Sequence, residues 1–342
     1  MADYKLDMRD KRFVKGLRSF FSMNPEDLSP QEINEINNTP VKPKLARKYL
    51  AGSKGKITVS TYVIPVSEGA VTAYYFSNPK ISEMNGLIPL MVFFHGGGWV
   101  YGNMDFYSIF MKHLAAETES AILLIDYRLA PRFKFPTAVE DCYDAYIWAY
   151  EGAKYWKVDP ARVFIAGDGI GGTMASVVSM MIRDRKAPQP AGQILMYPLT
   201  DCRLRTQSMV EYKESPTLNE KMLSYYVKNF EREPKDILSP MFSPLLSQDF
   251  TRLPPALIIA AENDPLRDDA LLYEKALKEG GTEAAAFVAK GAYNGFMPFQ
   301  DAKGRMEAEG AIWQFLGGRK ASNVQFFPKR IIKNAKNNSL AL

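Results

Sequence analysis

Short runs of almost unbroken apolar residues constrain this chain more than anything else in it. They are LIPLMVFFH (87–95), SAILLIDY (120–127), VFIAG (163–167), GQILMYPL (192–199), PALIIAAEND (255–264) and AAAFVAK (284–290). Each reads as a buried strand. Helix-like stretches lie between them at 106–119, 138–156 with Pro136 near its start, 173–186, 274–281 ending in glycine, and 301–318. Strands that are apolar on both faces need cover on both, and strands separated by helices run parallel. The pattern therefore predicts an α/β fold with a parallel sheet between two helical layers. Ahead of it, KITVSTYVIPV and AVTAYYFS within 56–78 alternate as the strands of a hairpin do.

The rhythm breaks at 203–238, where RLRTQSMVEYKESPTLNEKMLSYYVKNF is helical and partly aromatic. An insertion there sits over the carboxyl ends of the strands, where α/β sheets bind ligands. Residues 1–50 are polar with weak helical patterns, and Ser29-Pro-Gln-Glu marks a helix start. The expected organisation is a cap segment at 1–50, core at 51–202, cap insertion at 203–238, core again at 239–318, and a tail at 319–342.

That tail carries the charge imbalance. Glu309 is the last acid, whereas Arg319, Lys320, Lys329, Arg330, Lys333 and Lys336 follow it, enough to account for the net +5. It reads as a solvated tail rather than a nucleic-acid contact. Phe326, Phe327, Ile331 and Ile332 within it call for packing on the body or on a partner. Cys142 and Cys202 are too few for a disulfide framework and form no CxxC. The charged start MADYKLDMRDKRF lacks the apolar stretch of a secretion signal, and no apolar run reaches the ~18 residues of a membrane span. A cytoplasmic protein is expected, with homo-oligomerisation left open.

Chemistry concentrates around VFIAGDGIGGTMA (163–175). Gly167, Gly169 and Gly172 spell G-x-G-x-x-G, a dinucleotide-binding pattern. Such a fingerprint belongs in the first strand–helix turn, with an acid ~20 residues on at the end of the next strand. Here it is mid-chain and the next strand ends without that acid. The same letters read as a nucleophile elbow, G-x-S-x-G, with glycine where serine belongs. His95-Gly96-Gly97-Gly98-Trp99 supports the second reading, because bare backbone N–H groups after a strand can converge on an oxyanion.

Together HGGGWVYGN (95–103), DYRLAPRFKFPTAVEDCYDAYIW (126–148), GDGIGG (167–172), SPLLS (243–247) and NDPLRDDALLYEKAL (263–277) resemble the hormone-sensitive-lipase-like branch of the α/β-hydrolases. The resemblance runs from about 60 to 318. It implies an eight-stranded, mostly parallel sheet under a helical cap, and hydrolysis of small carboxylic esters by a serine, a histidine and an aspartate. It makes Asp264 the acid and gives the oxyanion to the N–H groups of Gly97, Gly98 and Ile170. Gly169 occupies the nucleophile position and Asn294, in AYNGF, the histidine position.

The chain has two histidines. His95 belongs to the glycine loop and His113 to a helix expected on the outside of the sheet, so neither replaces the base. Thr173 and Ser176 lie beyond the elbow. Asp168 and Tyr293 flank the vacated positions, and the resemblance implies that the residue before the nucleophile points away from substrate. Losing the nucleophile or the base costs ~10⁶ in turnover, so the chain as written should be silent as a serine esterase. Glycine accepts the elbow backbone without strain, and Asn294 can donate to Asp264. Three readings follow: an esterase scaffold for small acyl or aryl esters silenced at two positions; a pseudoenzyme holding a small apolar ligand under the cap; or acid–base chemistry through Asp264 or Tyr293. Trp99, Tyr101 and Phe106 after the glycine loop, with Met209, Tyr212, Leu218, Met222, Tyr225 and Tyr226 in the cap, suggest an aromatic-lined cleft. No metal or cofactor is called for.

Overall fold

A computed structural model describes residues 6–22, 24–53, 55–79 and 86–329. The hairpin strands are β1 (Thr58–Val66) and β2 (Gly69–Ser77). The apolar runs become β3 (Ile88–Phe94), β4 (Ala121–Asp126), β5 (Val158–Asp168), β6 (Gln193–Met196), β7 (Ala256–Asn263) and β8 (Ala284–Tyr293). They form one eight-stranded sheet in the order β1-β2-β4-β3-β5-β6-β7-β8. β1 pairs antiparallel with β2 and β2 antiparallel with β4, and every later pairing is parallel.

Successive side chains of a strand face opposite sides, so an all-apolar strand feeds two cores. All seven residues of β3 are buried. Leu90, Val92 and Phe94 join Leu123, Ile165 and Ile258 on one face, packed under α5 (Thr137–Gly152), α6 (Ile170–Asp184) and α9 (Arg267–Glu279). Met91 and Phe93 join Leu124, Phe164 and Ile259 on the other, under α4 (Met104–Thr118) and α10 (Arg305–Leu316). The N-terminal segment adds α1 (Met8–Leu17), α2 (Pro30–Asn38) and α3 (Pro43–Tyr49), and the 203–238 segment adds α7 (Gln207–Glu211) and α8 (Glu220–Phe230). Ser29 and Glu32 close a reciprocal capping box at the start of α2.

Two boundaries differ from the sequence expectation for physical reasons. Helix α6 begins at Ile170 instead of 173. Gly171 permits this, because a Cβ there would lie 1.9 Å from the Phe94 carbonyl oxygen, so only glycine lets the helix rest on β3. Strand β6 stops at Met196, where Tyr197 turns the chain with φ +40° towards the cap. Both cysteines are free and buried. In the tail, Phe326 stacks on Phe287 of β8, with ring centroids 5.2 Å apart. Arg330, Ile331, Ile332, Lys333 and Lys336 lie outside the described residues. No helix among the described residues is long and apolar enough to cross a membrane.

Candidate active site

The carboxyl ends of β3, β5, β6 and β8 open into a cleft under the cap. After β3 the chain enters the glycine loop, in which Gly97 has φ +103° and Gly98 φ +67°. Side chains are excluded here on two grounds. A Cβ on Gly97 would meet the Tyr101 carbonyl oxygen at 2.2 Å, and one on Gly98 would meet the Tyr226 ring at 2.2 Å. The loop closes on itself through the Val100 and Tyr101 N–H groups, which donate to the Gly97 carbonyl. The amides of Gly97, Gly98 and Ile170 have no acceptor among the described residues and are left to serve the cleft.

The loop is held from behind. The Gly96 N–H donates to Asp168 Oδ1 at 2.9 Å, and the Tyr107 hydroxyl donates to Asp168 Oδ2 at 3.2 Å. Burial pushes the Asp168 carboxyl up to about 7, against the pull of those two hydrogen bonds. Asp168 also borders the cleft, but both its oxygens are engaged, one by the Gly96 N–H and one by the Tyr107 hydroxyl. His95 lies under the same loop, stacked on Tyr127 at 4.2 Å, with Nδ1 2.7 Å from the Gly96 carbonyl oxygen. Burial lowers it to about 4, so it stays neutral. His113 is remote, with Nε2 2.7 Å from Glu309 Oε1 and Nδ1 2.9 Å from the Gly52 carbonyl oxygen. Thr173 and Ser176 spend their hydroxyls on the carbonyls of Leu199 and Thr173.

At the tip of β5, Gly169 has φ 54° and ψ −122°. This is a left-handed conformation of the kind a nucleophile elbow imposes. An added Cβ would meet nothing within 4 Å, so the position is empty space beside the free amides. Opposite it, after β8, Asn294 Nδ2 donates to Asp264 Oδ2 at 3.0 Å. Asp264 Oδ1 accepts the Leu266 N–H at 2.9 Å. Asp264 is fully buried, and burial pushes it up to about 7 despite these two donors. The sequence-predicted donation from Asn294 to Asp264 is therefore present.

Of the residues singled out from sequence, Gly97, Gly98, Gly169, Ile170, Asn294, Tyr101, Phe106, Leu218, Met222 and Tyr226 border the cleft. Trp99 and Tyr212 do not. Trp99 stacks on Phe230 at 4.4 Å and ties α8 to the glycine loop, while Tyr212 lies under the Arg267 guanidinium, 5.3 Å from the ring centroid. Both are cap fasteners. Met209 is buried in the core and Tyr225 packs on it, again away from the cleft wall. Sequence reasoning missed Leu17 and Phe21, which come from the N-terminal segment, and Tyr197 and Phe299. The i, i+4 spacing of Leu17 and Phe21 was the available signal. Among the described residues no group of three His, Cys, Asp or Glu side chains is placed to hold a metal.

A doubly wound sheet with a glycine-loop donor pair, an elbow at the end of the central strand and an acid after β7 defines an α/β-hydrolase. A family model described as the alpha/beta hydrolase fold matches residues 91–298. The chain belongs to that family, in its hormone-sensitive-lipase-like branch of carboxylesterases. It is similar to an arylesterase of Saccharolobus solfataricus, 31% identical over 82% of this chain and 90% of that one. An ethyl acetate hydrolase of Pseudomonas putida is 33% identical over 60% of this chain and 65% of its own length. Among solved structures, a Pyrobaculum calidifontis esterase superposes with a TM-score of 0.71 at 30% identity, covering 94% of both chains. A thermophilic carboxylesterase cloned from a metagenomic library gives a TM-score of 0.76 at 32% identity, covering 86% of this chain and 98% of that one.

Proposed function

We propose that this chain keeps a carboxylesterase's binding cleft and lacks its ester-cleaving groups, so that it holds a small acyl or aryl compound under the cap without hydrolysing it. The observation that carries the reading is the pairing of Asn294 Nδ2 with Asp264 Oδ2 at 3.0 Å opposite a bare Gly169. Nucleophile and base are both missing, yet the acid is satisfied and the donor loop is intact. An asparagine amide has no basic lone pair near neutrality, and glycine has no hydroxyl. What remains is the oxyanion loop and binding, worth a residual ~10³–10⁴ over water in serine hydrolases that have lost a triad member. The names of the relatives, an arylesterase and an ethyl acetate hydrolase, support small acyl and aryl groups as the compounds that fit. Acid–base chemistry through Asp264 or Tyr293 finds less support, because neither residue borders the cleft.

The test is hydrolysis of p-nitrophenyl acetate and butyrate by the chain as it stands and by Gly169→Ser/Asn294→His. The double variant is expected to turn over at least ~10³-fold faster. Comparable rapid turnover by the unaltered chain would refute the reading. Two folded but inactive proteins would mean that the cleft has diverged beyond the triad.

A further inference from the structure

The head of the cleft presents a hydrogen-bond pattern different from the one an ester needs. On one side stand the free amides of Gly97, Gly98 and Ile170, all donors. On the other stands Asn294. One Nδ2–H is given to Asp264, Oδ1 accepts from none of the described residues, and the side chain borders the cleft. Gly169, which borders the same cleft, leaves open space there. The wall contains no Lys, Arg or His, and its one acid, Asp168, has both oxygens engaged. Beyond the head the wall is mostly apolar, with Leu17, Phe21, Leu218, Met222, Leu223 and Phe299, interrupted by Thr217 and by Tyr101, Tyr197 and Tyr226.

We infer that the cleft selects a neutral carboxamide head on an apolar or aromatic body over the matching ketone, ester or carboxylate. The inference rests on the reading of a silent, ligand-holding cleft. The amide oxygen accepts from the Gly97, Gly98 and Ile170 N–H groups, and the amide N–H donates to Asn294 Oδ1. A ketone or ester satisfies the first side only and leaves Oδ1 desolvated against an apolar or acceptor atom. A carboxylate can give one oxygen to the amides, but it sets its other negative oxygen against Oδ1 with Asp264 behind it. Asp264 in its ionised form only accepts, which is what holds Nδ2, and not Oδ1, towards it.

Isothermal titration of the intact chain at pH 8, where Asp264 is ionised, tests this with a matched set: 3-phenylpropanamide, 4-phenylbutan-2-one, methyl 3-phenylpropanoate and 3-phenylpropanoate. The amide is expected to bind about tenfold or more tighter than the other three, the discrimination that one buried unpaired acceptor imposes. In Asn294→Leu, the amide should fall to the ketone's affinity while the ketone changes by no more than about twofold. Ranking the probes on the unaltered chain decides the matter even if that variant fails to fold. A ketone, ester or carboxylate that binds as tightly as the amide overturns the carboxamide inference and leaves the silent-cleft reading standing. Failure of all four to bind overturns both.

Discussion

Gly169 and Gly171 sit two residues apart and should fail for opposite reasons when given a methyl group. At Gly169, φ 54° and ψ −122° are costly for any L side chain, but a Cβ there meets nothing within 4 Å. The cost of Gly169→Ala is backbone strain alone, about 1–3 kcal/mol. Unfolding entropy of about 2.1 cal/mol/K per residue makes that a Tm decrease of roughly 1–4 °C for a chain of 342 residues. At Gly171 a Cβ would lie 1.9 Å from the Phe94 carbonyl oxygen and 2.9 Å from the His95 carbonyl carbon. Relief would require α6 to lift off β3, whose register with β5 pairs Phe94 with Gly167. Gly171→Ala should therefore cost more than about 4 kcal/mol, in the range of severe core defects. Urea unfolding of the two variants beside the parent measures both values. The reasoning fails if Gly169→Ala is as damaging as Gly171→Ala, which would mean the elbow is sterically closed. It fails equally if Gly169→Ala stabilises, which would mean the elbow has relaxed out of its left-handed geometry.

Two further predictions concern buried charge. Burial raises Asp168, Asp264 and Asp269 to about 7, so the folded chain holds their protons more tightly than the unfolded chain does. Stability should accordingly be greatest below about pH 4 for these groups and fall as pH climbs to 7. Asp264→Asn should flatten that fall by up to about 1.4 kcal/mol per pH unit in urea titrations at pH 5 and 7, and an unchanged slope would count against a buried, proton-holding Asp264. Arg128 grips the fully buried Asp141 with Nη2 2.6 Å from Oδ1 and Nε 2.9 Å from Oδ2. Arg128→Ala should cost about 3–5 kcal/mol by stranding that carboxylate, with much of the loss recovered in Arg128→Met/Asp141→Leu.

The periodicity of the chain was enough to locate the sheet and its helices. Buried strands such as LMVFF and AILLI have no polar face, so they can only be covered on both sides, and the connecting helices fix the parallel sense. The elbow and the glycine loop were legible for a related reason, while the Asn294–Asp264 pair came from the family resemblance. Glycines that must take positive φ, and side chains fixed at strand ends, announce themselves in local sequence.

Residues that approach from distant segments did not. Leu17 and Phe21 reach the cleft from the N-terminal segment, and nothing in their neighbourhood says which wall they will meet. Trp99 and Tyr212 carry the aromatic chemistry of a binding wall, yet the fold turns them into contacts between cap and body, Trp99 against Phe230 and Tyr212 against Arg267. Residue type sets what a side chain can do. Which partner it meets depends on how the N-terminal segment and the 203–238 segment come to rest on the strand ends, and that is settled by non-local packing across most of the chain.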